Sequence, residues 1–209
     1  MAARIEQVVT AGTFSLDGGT WEVDNNVWLV GDEEEVLIVD AAHDPAAILT
    51  AVGARRVVAV VCTHGHDDHV NGAPALREHT SAPVWFPAPD TMLWEAEHPH
   101  TRPDSDLAEA TELEVAGVTL TAIRTPGHSP GSTCLYAPKL GALFSGDTLF
   151  AGGPGATGRS FSDFATIIDS IRERLLRLPG ETVVYPGHGD TTTIGAEAPH
   201  LQEWIDRGH

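Results

Sequence analysis

The stretch Val57-Val58-Ala59-Val60-Val61-Cys62-Thr63-His64-Gly65-His66-Asp67-Asp68-His69 decides how the rest of the chain is read. Its first six residues, Val57 to Cys62, form a continuous, valine-rich apolar run, the pattern of a strand buried on both faces. The run ends at a cluster that puts four metal-capable side chains, His64, His66, Asp68 and His69, within six residues. Neutral imidazoles and carboxylates suit zinc and similar divalent ions. Gly65 gives a tight loop at a strand end the backbone freedom to aim several of them at one point. Three structural histidines in one turn would each need a separate hydrogen-bond partner or face water. The joint pattern therefore speaks for a ligand set where one histidine alone would not.

Three later segments have the same form: Thr125-Pro126-Gly127-His128-Ser129, Ser145-Gly146-Asp147-Thr148 and Tyr185-Pro186-Gly187-His188-Gly189. Each follows a short apolar strand and sets a glycine directly before a metal-capable side chain. Four strand ends meeting at one sheet edge would gather seven ligands: His64, His66, Asp68, His69, His128, Asp147 and His188.

Around these segments the sequence predicts two runs of strands, each followed by helices. Strands are expected over Glu6 to Ala11, Val27 to Gly31 and Val36 to Asp40, with a turn at Asp17-Gly18-Gly19. Asp44-Pro45 reads as an N-cap with proline at the first helical position, opening a helix to about Val52. A helix over residues 70 to 79 and a strand over Ser81 to Phe86 follow. Pro87 to Pro103 holds four prolines and Trp94 and reads either as an irregular substrate-flanking loop or as a surface excursion with Trp94 tucked onto the body. Strand character returns at Val118 to Arg124, Ser132 to Tyr136, Ala142 to Ser145 and Val183 to Tyr185. Asp163 to Leu178 carries apolar residues at a spacing of three and four, an amphipathic helix on a sheet, and Ala198 to Arg207 reads as a last helix stopped by Gly208. The order predicts a sheet sandwich with helices on its outer faces.

The chain has 209 residues, 12 Lys plus Arg against 30 Asp plus Glu, and a formal net charge of −18. Nucleic acid and anionic membrane surfaces are bound mainly by clustered basic residues, and no basic run exists here, so both are expected to be excluded as partners. The length predicts one domain, residues 1 to 209. No apolar run approaches the roughly 18 residues that cross a bilayer, and Met1 to Thr10, with Arg4 and Glu6 inside it, does not read as a secretory leader. A cytoplasmic location is the expectation, with Cys62 and Cys134 as reduced core residues. His43, His79, His98, His100, His200 and His209 lack a ligand-like context and are expected at the surface, while Trp21 and Trp28 read as core or edge residues.

The HxHxDH motif of His64 to His69 with the downstream His128, Asp147 and His188 resembles the metallo-β-lactamase superfamily of αββα hydrolases, over nearly the whole chain. That resemblance implies an α/β fold, a four-layer αββα sandwich. It also implies two divalent metal ions: His64, His66 and His128 on one, Asp68, His69 and His188 on the second, and Asp147 bridging. Zinc, iron and manganese all suit such a set. Two ions roughly 3.5–4 Å apart share a water whose lowered pKa makes a bridging hydroxide nucleophile, and Asp68 could orient it or relay a proton as a catalytic residue. Without the metals, Asp68 and Asp147 would repel and loosen the ligand loops, while the core would keep the fold.

Asp147 and its surroundings, Phe144-Ser145-Gly146-Asp147-Thr148-Leu149-Phe150, are similar to glyoxalase II, which implies hydrolysis of a hydroxyacyl thioester. In full-length glyoxalase II a C-terminal helical domain contributes thiol-binding residues; this sequence has 21 residues after His188, so that glutathione clamp is not carried over. The segment Ala151 to Arg159 is a longer glycine-rich loop, in which Arg159 is a candidate for binding a substrate carboxylate. Two related readings stand beside the thioesterase: a persulfide dioxygenase with a single iron, and a lactonase. In each case the partner is a small molecule, and the oligomeric state is open.

Overall fold

The structure is a computed structural model that describes residues 2–208. The first sheet contains β1 (Arg4–Leu16), β2 (Gly19–Gly31), β3 (Glu35–Val39), β4 (Arg56–Val61), β5 (Val84–Phe86) and β6 (Ser105–Asp106), in that spatial order. β1 and β2 form a 13-pair antiparallel hairpin turning at Asp17 and Gly18, and β3, β4, β5 and β6 pair in parallel. Between these strands run α1 (Pro45–Val52), α2 (Asp67–Val70), α3 (Ala73–Thr80) and α4 (Thr91–Glu97). The expected cap at α1 is present: the Asp44 carboxylate accepts from Ala47 N–H, and Pro45 opens the helix.

The second sheet is built from β7 (Glu112–Val115), β8 (Val118–Arg124), β9 (Thr133–Ala137) and β10 (Ala142–Gly146). A small ribbon, β11 (Leu149–Phe150) with β12 (Gly153–Pro154), and the helix α5 (Phe164–Ser170) follow. β13 (Val183–Pro186) joins β10 in parallel, and β14 (Thr192–Thr193) closes that edge. The chain finishes with α6 (Ile194–Glu197) and α7 (Leu201–Arg207).

Three hydrophobic cores separate four layers, as an αββα sandwich requires. Strand periodicity divides them, because successive side chains point to opposite faces. Val36 and Ile38 of β3 and Val57 and Val60 of β4 face Ile48, Leu76 and Trp94 of the helices. Leu37, Val39, Ala59 and Val61, from the same strands, face Leu120, Leu135 and Phe144 of the second sheet. That sheet's far side, Cys134, Leu143 and Val184, meets Ile167, Ile171, Leu175 and Trp204. Cys62 and Cys134 are free, buried thiols, as expected.

Several boundaries differ from the sequence expectation. The histidine motif is not all loop: Asp67 to Val70 make one helical turn, and the helix expected over 70 to 79 breaks at Asn71 and Gly72. Gly72 lies so close to the Ala41 carbonyl, which accepts its N–H at 2.8 Å, that a side chain there would collide. The helix expected over Asp163 to Leu178 is α5 continued by a wider π turn over Ile171–Leu175. The final helix is capped by Gly208 at φ 78°, as read, but enters through a 3-10 turn at Ala198–His200.

The Pro87 to Pro103 segment does not flank the substrate cavity. It folds as a 3-10 turn and α4, and Trp94 is 1% exposed in the first core, 5.1 Å from the ring of Phe86, with its indole N–H donating to the Thr101 carbonyl. Truncating a buried aromatic costs about 3–5 kcal/mol through lost transfer energy and the cavity left behind. Trp94→Ala should therefore lower unfolding stability by that amount in denaturant titration while leaving KM unchanged; a KM effect at unchanged stability would return this segment to the substrate site.

Candidate metal centre

The seven residues expected as ligands converge, although from two sheets rather than one edge. His64 follows β4 of the first sheet, whereas His128, Asp147 and His188 follow β8, β10 and β13 of the second. The His188 loop is tied across the sandwich by β2: Asn26 donates through its backbone N–H to the Gly187 carbonyl and through Nδ2 to those of Pro186 and Gly189, and the Trp28 indole N–H also donates to Pro186.

His64 Nε2 and His128 Nε2 each lie 3.0 Å from His66 Nδ1, and His69 Nε2 lies 3.2 Å from His188 Nε2. Asp147 stands between the two groups, with Oδ1 3.4 Å from His69 Nε2 and Oδ2 3.6 Å from His128 Nε2. Asp68 Oδ2 lies 3.3 Å from His188 Nε2 and 3.5 Å from His69 Nε2. Three subsets present ligand atoms within 4.8 Å of one another: His64, His66 and His128; His64, His69 and Asp147; and Asp68, His69 and His188.

The other ring nitrogens show which atoms are aimed inward. Each Nδ1 of His64, His69, His128 and His188 faces an acceptor: Thr63 Oγ1 at 3.1 Å, Asp40 Oδ2 at 3.0 Å, and the carbonyls of Ala156 at 2.9 Å and Asp24 at 2.8 Å. A proton on each Nδ1 leaves the Nε2 lone pair turned into the centre, the outer arrangement that orients metal-ligating histidines. Converging lone pairs repel unless a cation or protons lie among them. His66 turns its Nδ1 inward instead, and Asp147 Oδ1, a buried atom of the centre, has no hydrogen-bond partner, which in a native protein calls for an explanation. The residue set thus fits divalent ions.

Electrostatics agree. Burial opposes the charge on Asp147, but His69 and His188 outweigh it and hold the carboxyl well below the usual range. Burial and the neighbouring imidazoles push His64 well down, and burial with His128 brings His66 to about 3. Against burial, Asp68 and Asp147 push His69 well up, and Asp147 pushes His188 up to about 10.

The sequence reading missed the groups that hold these ligands. Asp40, at φ 59° just past β3, accepts from Thr63 N–H and Oγ1–H as well as from His69. Its position at the end of an apolar strand is the same signal that marked Asp147. Asp90 is fully buried and accepts from Gly65 N–H, Ser129 Oγ–H and Gly131 N–H, clasping the loops of His64, His66 and His128 together. Nothing in the sequence around Asp90 announces that role. His43, expected at the surface, is half-buried and bonded to Asn25 and Asn71; His98 is also half-buried, on the Val70 carbonyl. His79, His100 and His200 are exposed as expected, and His209 lies outside the described residues.

A cavity of about 290 Å³ opens onto Asp68, His128, Asp147 and His188. Its walls are apolar: Phe14, Leu16, Trp21 and Val23 from the β1–β2 hairpin, and Phe150. Trp28 is a core residue as expected, whereas Trp21 is 40% exposed and belongs to this wall. Arg159 lies at the mouth, its guanidinium carbon 3.7 Å from the Trp21 ring centroid and 5.5 Å from that of Phe14. The loop carrying Arg159 is fastened to the hairpin tip by Ser160 N–H donating to Asp17.

The model of the metallo-beta-lactamase superfamily matches residues 20–188. The chain belongs to this superfamily. As a superfamily member it is a metal-binding, glyoxalase II-like hydrolase. It is 30% identical over 181 residues to the hydroxyacylglutathione hydrolase GloC of Haemophilus influenzae, covering 79% of this chain and 88% of that one. Among solved structures, TTHA1623 in a di-iron-bound form is 32% identical with a TM-score of 0.75, covering 84% of this chain and 93% of that one. ETHE1 from Myxococcus xanthus is 25% identical with a TM-score of 0.74, covering 96% and 89%. Among the described residues of this superfamily member, no helix is long and apolar enough to cross a membrane.

Proposed function

We propose that residues 1 to 209 form one dinuclear metallo-hydrolase unit that cleaves a small-molecule thioester in the cytoplasm, without nucleic acid as a partner. The observation that carries this reading is Asp147, set between two histidine groups beside an apolar cavity, with Oδ1 3.4 Å from His69 Nε2 and Oδ2 3.6 Å from His128 Nε2 and 3.4 Å from His188 Nε2. The proposed ligands are His64, His66 and His128 for one ion and Asp68, His69 and His188 for the other, with Asp147 shared and zinc the expected metal. Divalent ions held there supply Lewis acidity, polarising the scissile carbonyl and providing a nucleophile from water at neutral pH.

The chain's own residues do the rest. Phe14, Leu16, Trp21 and Phe150 exclude water and seat the apolar part of the substrate against the centre. Asp68 lines the cavity and is kept ionised because His69, His188 and Asn25 overcome its burial, bringing its pKa to about 2. An ionised carboxylate at that position orients the attacking water and can pass its proton onward. A thiolate leaves readily without protonation, so a thioester needs less acid assistance than an amide.

Arg159 is assigned to a substrate carboxylate. Its guanidinium carbon lies 3.7 Å from the Trp21 ring centroid at the cavity mouth, where a guanidinium can make paired bonds to a carboxylate. A charged hydrogen bond contributes about 1.5–3 kcal/mol when buried, and at this exposed mouth about tenfold in affinity is expected. Arg159→Ala should raise KM about tenfold for a carboxylate-bearing thioester with kcat unchanged, and leave a carboxylate-free ester unaffected. Equal effects on both substrates would remove Arg159 from recognition.

Elemental analysis of protein purified without added metal tests the whole reading. Near two zinc ions per chain and turnover of hydroxyacyl thioesters would support it. One iron with oxygen uptake on a thiol persulfide, or opening of an acyl-homoserine lactone with no thioester turnover, would replace it.

A further inference from the structure

His43 lies outside the ligand set, yet it ends a hydrogen-bond chain that reaches into it. Asn71 Nδ2 faces His43 Nδ1 at 3.0 Å, His43 Nε2 faces Asn25 Oδ1 at 2.8 Å, and Asn25 Nδ2 donates to Asp68 at both Oδ2 and the backbone carbonyl, 3.0 Å each. The second amide oxygen, Asn71 Oδ1, accepts the backbone N–H of His43 at 2.7 Å. These contacts allow one consistent proton arrangement. With Asn71 Oδ1 accepting from the His43 backbone, Asn71 presents an N–H to Nδ1, so Nε2 carries the imidazole proton and donates to Asn25. Donation into Asn25 Oδ1 then turns the amide nitrogen of Asn25, rather than its oxygen, toward the Asp68 carboxylate.

We infer that His43 is a positioning residue: it locks the Asn25 amide in the orientation that holds Asp68 toward His69 and His188. Two further features show that the imidazole is placed there by the fold. His43 has a left-handed backbone, φ 54°, a region uncommon for residues other than glycine. β1 also passes directly over the ring at Gly12, where any Cβ would overlap the imidazole. Burial lowers the pKa of His43, which favours the neutral ring this arrangement needs. Without His43 the Asn25 Oδ1 loses its donor, and the amide that holds Asp68 is fixed from the Asp68 side alone.

This inference rests on the dinuclear reading proposed above, and the test separates the two. Zinc affinity is measured stepwise by competition with a chromophoric chelator for wild type, His43→Ala, His43→Gln and Gly12→Ala, together with the melting temperature of each metal-free protein. Partners that orient ligands typically change metal affinity 10–100-fold. His43→Ala is expected to weaken one of the two zinc ions by that factor and leave the other at the wild-type value. His43→Gln, which can still accept from Asn71 and donate to Asn25, should recover most of the loss. Gly12→Ala, which keeps the imidazole but displaces it, should reproduce the His43→Ala pattern. Unchanged affinities in His43→Ala, or equal weakening of both ions in step with a lowered metal-free melting temperature, would overturn the inference while leaving the dinuclear reading intact. A wild-type chain that takes up no second ion would overturn both.

Discussion

Asp147→Asn should fold normally and lose turnover by about a thousandfold, because the polarisation supplied by a bound metal is worth several kcal/mol and about 1.4 kcal/mol corresponds to tenfold. The substitution keeps the side-chain shape and removes the charge that lies between the two histidine groups. Metal content should fall by one equivalent or more per chain. Full metal content with full turnover in this variant would remove Asp147 from the centre.

The same carboxylate governs the metal-free state. Mutual repulsion of Asp68 and Asp147 is what the sequence suggests on metal loss, but His69 and His188 stand between them: His188 Nε2 is 3.3 Å from Asp68 and 3.4 Å from Asp147. Because the folded pKa of His188 is raised to about 10, its stabilising contribution is complete below about pH 6.5 and is lost as the pH rises through about 10. The Asp68 contribution runs the other way. Its folded pKa is lowered to about 2, so it is complete above about pH 3.8 and is lost as the pH falls through about 2. His64 and His66 oppose this on the acid side: their folded pKa values are lowered, to about 3 for His66, so they cost stability as the pH falls below about 6.5, and the metal-free site is best stabilised near about pH 6.5. Zinc uptake displaces protons from His69 and His188, and it should tighten as the pH rises, with proton release visible as a buffer-dependent heat in titration calorimetry. Uptake independent of pH would contradict these protonation states.

Asp90→Ala is expected to be the most destabilising single change outside the hydrophobic cores. It leaves the N–H groups of Gly65 and Gly131 and the hydroxyl of Ser129 buried without their acceptor. Each unsatisfied buried group costs about 1–3 kcal/mol, so a loss of at least about 3 kcal/mol in denaturant unfolding is expected. The loss should extend to the metal centre. Gly65 separates His64 from His66, and Ser129 follows His128, so Asp90 holds all three in register across the two sheets. Metal binding by His64, His66 and His128 should weaken along with stability; destabilisation with unaltered zinc affinity would limit Asp90 to the fold.

How much of this was legible beforehand follows from how local each feature is. The valine run of β4 and the Asp44-Pro45 start of α1 are encoded by neighbours in sequence, and they were read correctly. The seven candidate ligands could be named because each lies in a short motif behind a strand, and the structure brings them together. The sequence leaves Trp94 open between a substrate-flanking loop and the body of the protein, and reads Trp21 as core or edge, for one shared reason. Their composition signals are alike, and only the docking of α4 onto the first sheet and the reach of the hairpin over the cavity decide which is buried and which lines the cavity.

The sequence by itself determined the αββα class and singled out the seven candidate ligands, since both are written in periodicity and in short motifs. Tertiary structure alone decided what holds that set. Asp90 meets Gly65 across 25 residues and Ser129 across 39, Asn25 meets Asp68 across 43, and Asn26 meets Gly189 across 163. The bonds of Asp90 to Ser129 and of Asn26 to Gly189 exist only after the two sheets have docked on their shared apolar face, and the other two only after distant strands of the first sheet have assembled. No local pattern records them, because the energy that brings the partners together comes from apolar burial and not from the polar residues themselves.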